Sequence, residues 1–250
     1  MSLFQATMLF LAGIAAGTIN SVVGSGSLIT FPALLGFGYT PLIANMTSNI
    51  GVLPGAVSGA FAYRHELKTQ WPRVRRLASF SLLGGFGGAL LLLRLSAAAF
   101  KAIVPVLILL ALVLVIFQPW LRKRAVQHES RAWRNAIIRD GGIFLTGLYG
   151  GYFGAAQGIL LMSILGAVID ESIARLNSIK IMLALCANFA AAIVFIFRGG
   201  VSWPAAGVIA AGSLIGGQLG AHIGRRLPDR VYRAVIVIVG LVAFVKLVTS

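Results

Sequence analysis

The side chains of this chain that could do chemistry are neutral hydrogen-bonding groups set inside long apolar runs. Glycines interrupt these runs, and a break in a helix presents backbone N–H groups with partial positive charge at the new N-terminus. Together such groups could hold a desolvated anion. The alternative is that the small residues only let helices pack closely and hydrogen-bond one another. The candidate substrate-binding residues are Asn20, Ser25, Ser27, Asn45, Thr47, Ser48 and Asn49 in the first half of the chain, and Gln157, Asn177, Lys180 and Asn188 in the second.

Lys180 is the charged member of this set. It lies about two turns into the apolar run 173–197, and the seventeen residues that follow it in that run are uncharged. A buried lysine is costly and marks a functional site, and Asn177, three residues earlier, shares its helix face. The alternative is a lysine that extends its amine to the membrane surface. We expect Lys180 to supply positive charge to an anion.

The sequence holds no constellation typical of catalysis or metal binding. The three histidines lack ligand spacing, no acidic pair lies inside an apolar run, and no Gly-Lys-Ser/Thr follows the turn 24–26, as a phosphate loop would require. Asp170 and Glu171 could pair with Arg175 or Lys180, but we favour ordinary turn residues at the membrane interface. We therefore expect no catalytic residue, no cofactor and no metal, and a protein that is not an enzyme.

The composition is that of a protein embedded in lipid. Of 250 residues, 58% are hydrophobic and 11% are charged, whereas a soluble domain has roughly 25% charged residues. The mean hydropathy is +0.93. At about 20 residues per membrane-spanning helix, this length allows about eight to ten segments. We expect one all-α, polytopic membrane domain, a helical bundle with the lipid bilayer as a partner.

The net charge of +15 would suggest a nucleic-acid partner in a soluble protein. Here the basic residues fall in three clusters between apolar runs, which is the pattern of short cytoplasmic loops. We therefore expect no nucleic-acid partner, and loops that face the cytoplasm. The clusters are Arg64, Lys68, Arg73, Arg75 and Arg76; Arg122, Lys123, Arg124, Arg131, Arg134 and Arg139; and Arg225, Arg226, Arg230 and Arg233.

The apolar runs form two matching series. A first membrane repeat at 1–121 and a second at 140–250 are joined by the polar stretch 122–139, the predicted cytoplasmic linker. The offset between the series changes once, by a two-residue insertion, and its persistence indicates an internal repeat. The runs lie near 3–23, 27–37, 42–63, 74–94 and 99–121, then 137–153, 156–169, 173–197, 203–224 and 230–249. The offset is 130 at Gly24 and Gly154 and at Ser48 and Ser178, and 132 from Trp71 and Trp203 to Gly88 and Gly220.

The charge clusters also predict how the repeats are oriented. Placing all three in the cytoplasm makes the second series run opposite to the first, so we expect inverted repeats. Each repeat opens with a glycine-interrupted pair of segments, at 17–32 and 147–158, whose second member of about 14 residues is short for a full span. We expect broken or re-entrant helix hairpins with turns at membrane depth. Interrupted segments at matching places in inverted halves indicate a transporter's binding site.

Several of these stretches resemble the TauE/SafE sulfite-exporter family, also called the TSUP transporters. They are AGTINSVVGSGSLITFPALLGFG at 16–38, ANMTSNIG at 44–51, YRHEL at 63–67, GLYGGYFGAAQG at 147–158, and NSIK at 177–180 with Asn188. The resemblance covers nearly the whole chain. It implies an inner-membrane permease with inverted repeats and a substrate among sulfite, sulfonates and related sulfur-containing organic anions.

The function expected from these observations is a permease for a small sulfur-containing anion, working by alternating access with a midplane site. A passive anion channel shares every sequence feature and differs in saturation. An integral membrane enzyme is disfavoured by the missing acidic or histidine constellation, and a purely structural subunit leaves the buried lysine unexplained. Proton coupling, the direction of transport and assembly, a homodimer included, stay open from sequence.

Overall fold

The computed structural model describes residues 1–22, 24, 26–125 and 132–223, together with residues 234, 237, 238, 241, 244 and 245. The third basic cluster and most of the run 230–249 lie outside the described residues. Within them the chain is helical and contains no strand, which confirms the all-α fold. The helices are α1 (Leu3–Val22), α2 (Ser27–Gly36), α3 (Pro41–Ala62), α4 (Arg64–Lys68), α5 (Trp71–Arg94), α6 (Ala97–Ala125), α7 (Ala132–Tyr152), α8 (Gln157–Val168), α9 (Ile173–Arg198) and α10 (Trp203–Ile223).

Four of these helices, α1, α5, α9 and α10, are long and apolar enough to cross a membrane. Large apolar side chains such as Leu83, Phe86 and Phe197 are exposed on the bundle surface, as suits a protein whose solvent is lipid. In contrast, α2 has 10 residues and α8 has 12, against about 20 for a full span. The second member of each interrupted pair is therefore a short helix.

Glycines allow the long helices to touch backbone to backbone. On α5, any side-chain atom at Gly88 would overlap the carbonyl of Leu148 in α7. On α10, an atom added at Gly220 would overlap the carbonyl of Thr18 in α1. Small residues at such crossings allow close van der Waals packing, which drives helix association in lipid.

The two halves make reciprocal contacts. Ser81 on α5 donates to the carbonyl of Leu183 on α9 at 2.7 Å, and Ser213 on α10 donates to the carbonyl of Gly51 on α3 at 2.8 Å. The two donor serines are 132 residues apart in the sequence, and so are the two acceptor residues. The corresponding helices α3 and α9 also begin 132 residues apart, at Pro41 and Ile173, whereas α2 and α8 begin 130 apart. The two-residue insertion therefore lies within α8. The sequence prediction placed it later in the chain, after Ser178, because it paired Ser48 with Ser178 at an offset of 130.

Ion pairs join α7 and the start of α9 to the first turns of α5, at one end of the bundle. Asp140 of α7 accepts hydrogen bonds from Arg76 of α5 and from Arg139, both at 2.7 Å. Glu171, just before α9, pairs with Arg73 at 3.3 Å and with Arg175 at 2.9 Å. The favoured interpretation of Glu171 as an ordinary turn residue is therefore wrong, and the alternative in which it pairs with Arg175 is confirmed. Members of the first two basic clusters share this end, as their common cytoplasmic assignment requires.

Candidate functional site

Both interrupted pairs break in the same way. The N–H of Gly24 donates to the carbonyl of Ile19, and the N–H of Gly154 donates to the carbonyl of Tyr149, each at 3.1 Å. The φ angles of the two glycines are +82° and +76°, a conformation that favours glycine because it has no Cβ. In each break one helix ends and the next begins five residues later, at Ser27 in α2 and Gln157 in α8.

The two breaks touch each other in the interior. The N–H of Gly158 donates to the carbonyl of Gly24 at 3.0 Å, and an atom added at Gly24 would overlap the Cα of Gly158. The N–H groups of Gln157 and Ile159 also have carbonyl acceptors, in Gly154 and Ala156. The expectation of exposed N–H groups is therefore wrong for these three amides of α8. The helix dipole still places partial positive charge at that end.

A small polar cavity lies beside this contact. We call it the central cavity. It brings together seven of the predicted side chains, drawn from α1, α2, α3, α8 and α9. Their role in holding a substrate stays a prediction. The lining residues are Asn20, Gly24, Ser27, Asn45, Ser48, Asn49, Val52, Phe153, Gly154, Gln157, Ala184 and Asn188.

Several polar groups of the central cavity bond to one another. Asn49 donates its side-chain amide to the Oδ1 of Asn188 at 3.2 Å, which joins α3 to α9. The hydroxyls of Ser48 and Thr30 are 2.6 Å apart. Other polar atoms are buried with no protein partner: Oδ1 of Asn49, and both Oε1 and Nε2 of Gln157. Because an unpaired buried polar atom costs about 1–3 kcal/mol, these three atoms are the strongest local sign of a ligand site.

Lys180 lines a second small cavity, which shares Asn20, Gly24 and Ala184 with the first. Only 1% of the lysine is exposed, and its Nζ donates to the carbonyl of Val22 at 3.2 Å. This placement contradicts the alternative in which the amine reaches the membrane surface. No carboxylate among the described residues forms an ion pair with Lys180.

Two predicted residues lie away from both cavities and hold the backbone instead. Asn177 donates to the carbonyl of Ser21 at 3.1 Å, at the end of α1. Thr47 accepts the N–H of Ser202 at 3.1 Å, near the start of α10. Asn45 lines the central cavity but also donates to the carbonyl of Tyr152 at 2.9 Å, at the end of α7. Ser25 lies outside the described residues.

Sequence reasoning missed the apolar part of the lining. Val52 follows Ser48 by four residues, and Ala184 lies four residues from both Lys180 and Asn188. Residues four apart share a helix face. This spacing could have identified Val52 and Ala184 once the polar members of each face were known.

These observations define a multi-pass, all-α membrane protein with a polar cavity between two broken helices. The sequence matches the family described as sulfite exporter TauE/SafE over residues 9–247, and the chain belongs to this family. The resemblance drawn from the motifs is thereby confirmed.

Similar proteins are found in several bacteria, and each carries the name of a probable membrane transporter. The Escherichia coli (strain K12) protein YfcA is 25% identical over 240 residues, which cover 96% of this chain and 88% of the relative. A Haemophilus influenzae protein is 26% identical over 243 residues, or 96% and 93% of the two chains. The Sinorhizobium protein ORF9 is 28% identical over 246 residues, or 97% and 92%. The chain is therefore a member of a membrane transporter family.

Proposed function

We propose that this protein carries a small sulfur-containing anion, such as sulfite or an organosulfonate, across the cell inner membrane by alternating access. The observation that carries the proposal is the meeting of two helix N-termini at one cavity. Ser27 and Gln157 are the first residues of α2 and α8, and both line the central cavity. Because helix N-termini carry partial positive charge, an anion is favoured between them, as in transporters built from broken helices.

Lys180 supports an anion rather than a neutral solute. Its amine lies beside the first break, at the carbonyl of Val22, in a cavity that shares Asn20 with the central one. A buried ammonium without a counter-ion is costly, so an anion that enters beside it lowers that cost. The oxygens of sulfite or of a sulfonate would face this amine.

Alternating access is supported by the relation between the halves. α1 packs on α10 and α7 packs on α5, and the hydrogen bonds of Ser81 and Ser213 are reciprocal. Two related halves with a break in each would, as inverted repeats, present the same site to either side by exchanging conformations. The basic cluster at the start of α5 would face the cytoplasm.

A passive channel is the second candidate, and its flux would not saturate. The lining of neutral amides and hydroxyls favours carriage over catalysis, because it offers no general acid or base near neutral pH. Uptake of labelled sulfite into proteoliposomes, with and without a pH gradient, separates these functions. A carrier shows saturation and is accelerated by unlabelled sulfite on the opposite side.

The matched variants for this assay are Lys180→Gln and Lys68→Gln, since Lys68 is an exposed residue of α4. We expect Lys180→Gln to lose sulfite and sulfonate uptake and Lys68→Gln to retain it. Equal uptake by Lys180→Gln and the parent would remove the lysine from the mechanism. Failure of the parent to move sulfite or any sulfonate would overturn the proposed substrate class.

The single cysteine allows a direct test of alternating access. Cys186→Ala gives a cysteine-free background, into which Asn20→Cys is introduced at the residue shared by both cavities. We expect a membrane-impermeant thiol reagent to label Asn20→Cys from either side, with substrate on one side shifting the rate of labelling from the other. Labelling from one side only, insensitive to substrate, would contradict the mechanism.

A further inference from the structure

The amide of Gln157 limits which anions can fit the central cavity. Its side chain is 1% exposed and lines the cavity, and neither Oε1 nor Nε2 has a hydrogen-bond partner. Rotating the amide by 180° exchanges the two atoms and still leaves one acceptor and one donor unpaired. A ligand that satisfies Gln157 must therefore both accept and donate a hydrogen bond.

An anion with no hydrogen-bond donor can meet only half of this requirement. Its oxygens can accept from Nε2 but leave Oε1 buried and unpaired, and an unpaired buried polar atom is costly. A ligand that leaves a polar group without the hydrogen bond that water would otherwise supply loses affinity. No lining group among the described residues donates to Oε1 of Gln157 in this structure.

We propose that the substrate is an oxyanion that carries its own hydrogen-bond donor, and that Gln157 selects it through this donor. The donor can be a hydroxyl on the sulfur, as in hydrogensulfite, or a hydroxyl or ammonium group on the carbon chain of a sulfonate. The inference rests on the proposed function, since it concerns the same cavity and the same class of anion. The anionic oxygens face the helix N-termini, and the donor faces Oε1 of Gln157.

Two matched pairs of competitors test the proposal in proteoliposomes that take up labelled sulfite. Unlabelled sulfite at mildly acidic pH is compared with methanesulfinate, which replaces the hydroxyl on the sulfur of hydrogensulfite by a methyl group. 2-Hydroxyethanesulfonate is compared with propanesulfonate, which replaces the terminal hydroxyl in the same way. A preference within the first pair places the donor on the sulfur, and a preference within the second places it on the carbon chain.

We expect the donor-bearing member of at least one pair to inhibit at roughly tenfold lower concentration, since one unmet buried hydrogen bond is worth about that factor. In Gln157→Met, which keeps length but has neither amide atom, this ratio falls to about one while both competitors still inhibit. If Gln157→Met fails to fold, the ratios for the parent decide alone. Ratios near one in both parental pairs overturn the inference and leave the carrier standing, whereas a parent that takes up neither labelled sulfite nor a labelled sulfonate overturns the proposed function with it.

Discussion

Asn49 of α3 donates its side-chain amide to the side-chain oxygen of Asn188 in α9 across 3.2 Å, and both residues line the central cavity. The two asparagines come from different halves of the chain. This bond therefore crosses the junction that an alternating-access movement would have to rearrange. It also fixes the orientation in which Oδ1 of Asn49 is left without a partner.

The Asn49–Asn188 bond should show up as an energetic coupling. We expect Asn49→Ala and Asn188→Ala each to weaken the apparent affinity for sulfite. Because the two residues act as one unit, the loss in the double variant should be smaller than the sum of the two single losses by about 0.5–3 kcal/mol. The measurement is the concentration dependence of uptake for all four proteins.

A control pair for this cycle lies on α9. Asn188 and Asn177 are 11 residues apart, or about 16 Å at 1.5 Å per residue, and Asn177 bonds the end of α1 instead. Their effects should add within about 0.5 kcal/mol. Additive losses for Asn49 and Asn188 as well would show that their hydrogen bond has no role in binding.

Replacing Gly24 by alanine should cost more stability than replacing Gly38, a glycine with a similar positive φ angle. Gly24 and Gly38 have φ angles of +82° and +86°, but an added Cβ overlaps Gly158 at the first and meets nothing within 4 Å at the second. Gly38→Ala should lose about 1–2 kcal/mol through backbone strain alone. Gly24→Ala should lose clearly more stability, as measured by thermal unfolding of the purified protein. It should also lose uptake in proteoliposomes. Equal losses would mean that the two breaks need not touch.

The crossing of α5 and α7 should depend on one of two neighbouring glycines. A Cβ at Gly88 overlaps the backbone of Leu148, whereas a Cβ at Gly87 meets nothing within 4 Å. Gly88→Ala should destabilise the protein by about 1–3 kcal/mol, as overpacking does, and Gly87→Ala should not. The two variants are compared by thermal unfolding in detergent. If Gly88→Ala left the stability unchanged, α5 and α7 would not approach each other this closely.

The ion pairs at the start of α9 should respond to acid in a defined direction. The hydrogen bond from Arg175, opposed by partial desolvation and reinforced by Arg73, lowers the pKa of Glu171. A lowered pKa in the folded state means that the stabilisation is present above the ordinary pKa of a carboxyl group and is lost as the pH falls through the lowered value.

The predicted effect of Glu171→Gln is therefore a small loss of thermal stability at neutral pH that disappears in acid. The effect is small because an ion pair on the surface contributes little. Asp170→Asn is the matched control, since Asp170 is exposed and adjacent. A loss that is the same at both pH values would assign the effect to something other than the charge of Glu171.

Much of the fold is predictable from sequence because it depends on local properties of the chain. Apolar runs of about 20 residues must be helical in lipid, where every backbone group needs an internal partner. The glycines at 24 and 154 mark the breaks because only glycine adopts a positive φ at low cost. Local motifs such as GLYGGYFGAAQG at 147–158 were sufficient to identify the family.

The division of the polar residues into cavity lining and backbone support could not be predicted in this way. Asn45, Asn177 and Thr47 have similar settings in the sequence, yet only Asn45 reaches the central cavity. The difference depends on which helix lies opposite each side chain, and those partners are 107–156 residues away.

The sequence by itself determined the membrane class, the helices with their two breaks, and the pool of hydrogen-bonding residues, because hydropathy and glycine conformation act locally. Only the tertiary structure decided that Gln157 is buried with two unpaired atoms and that Lys180 reaches Val22 rather than the surface. The physical reason is that burial and hydrogen-bond partners are set where helices from opposite halves of the chain meet.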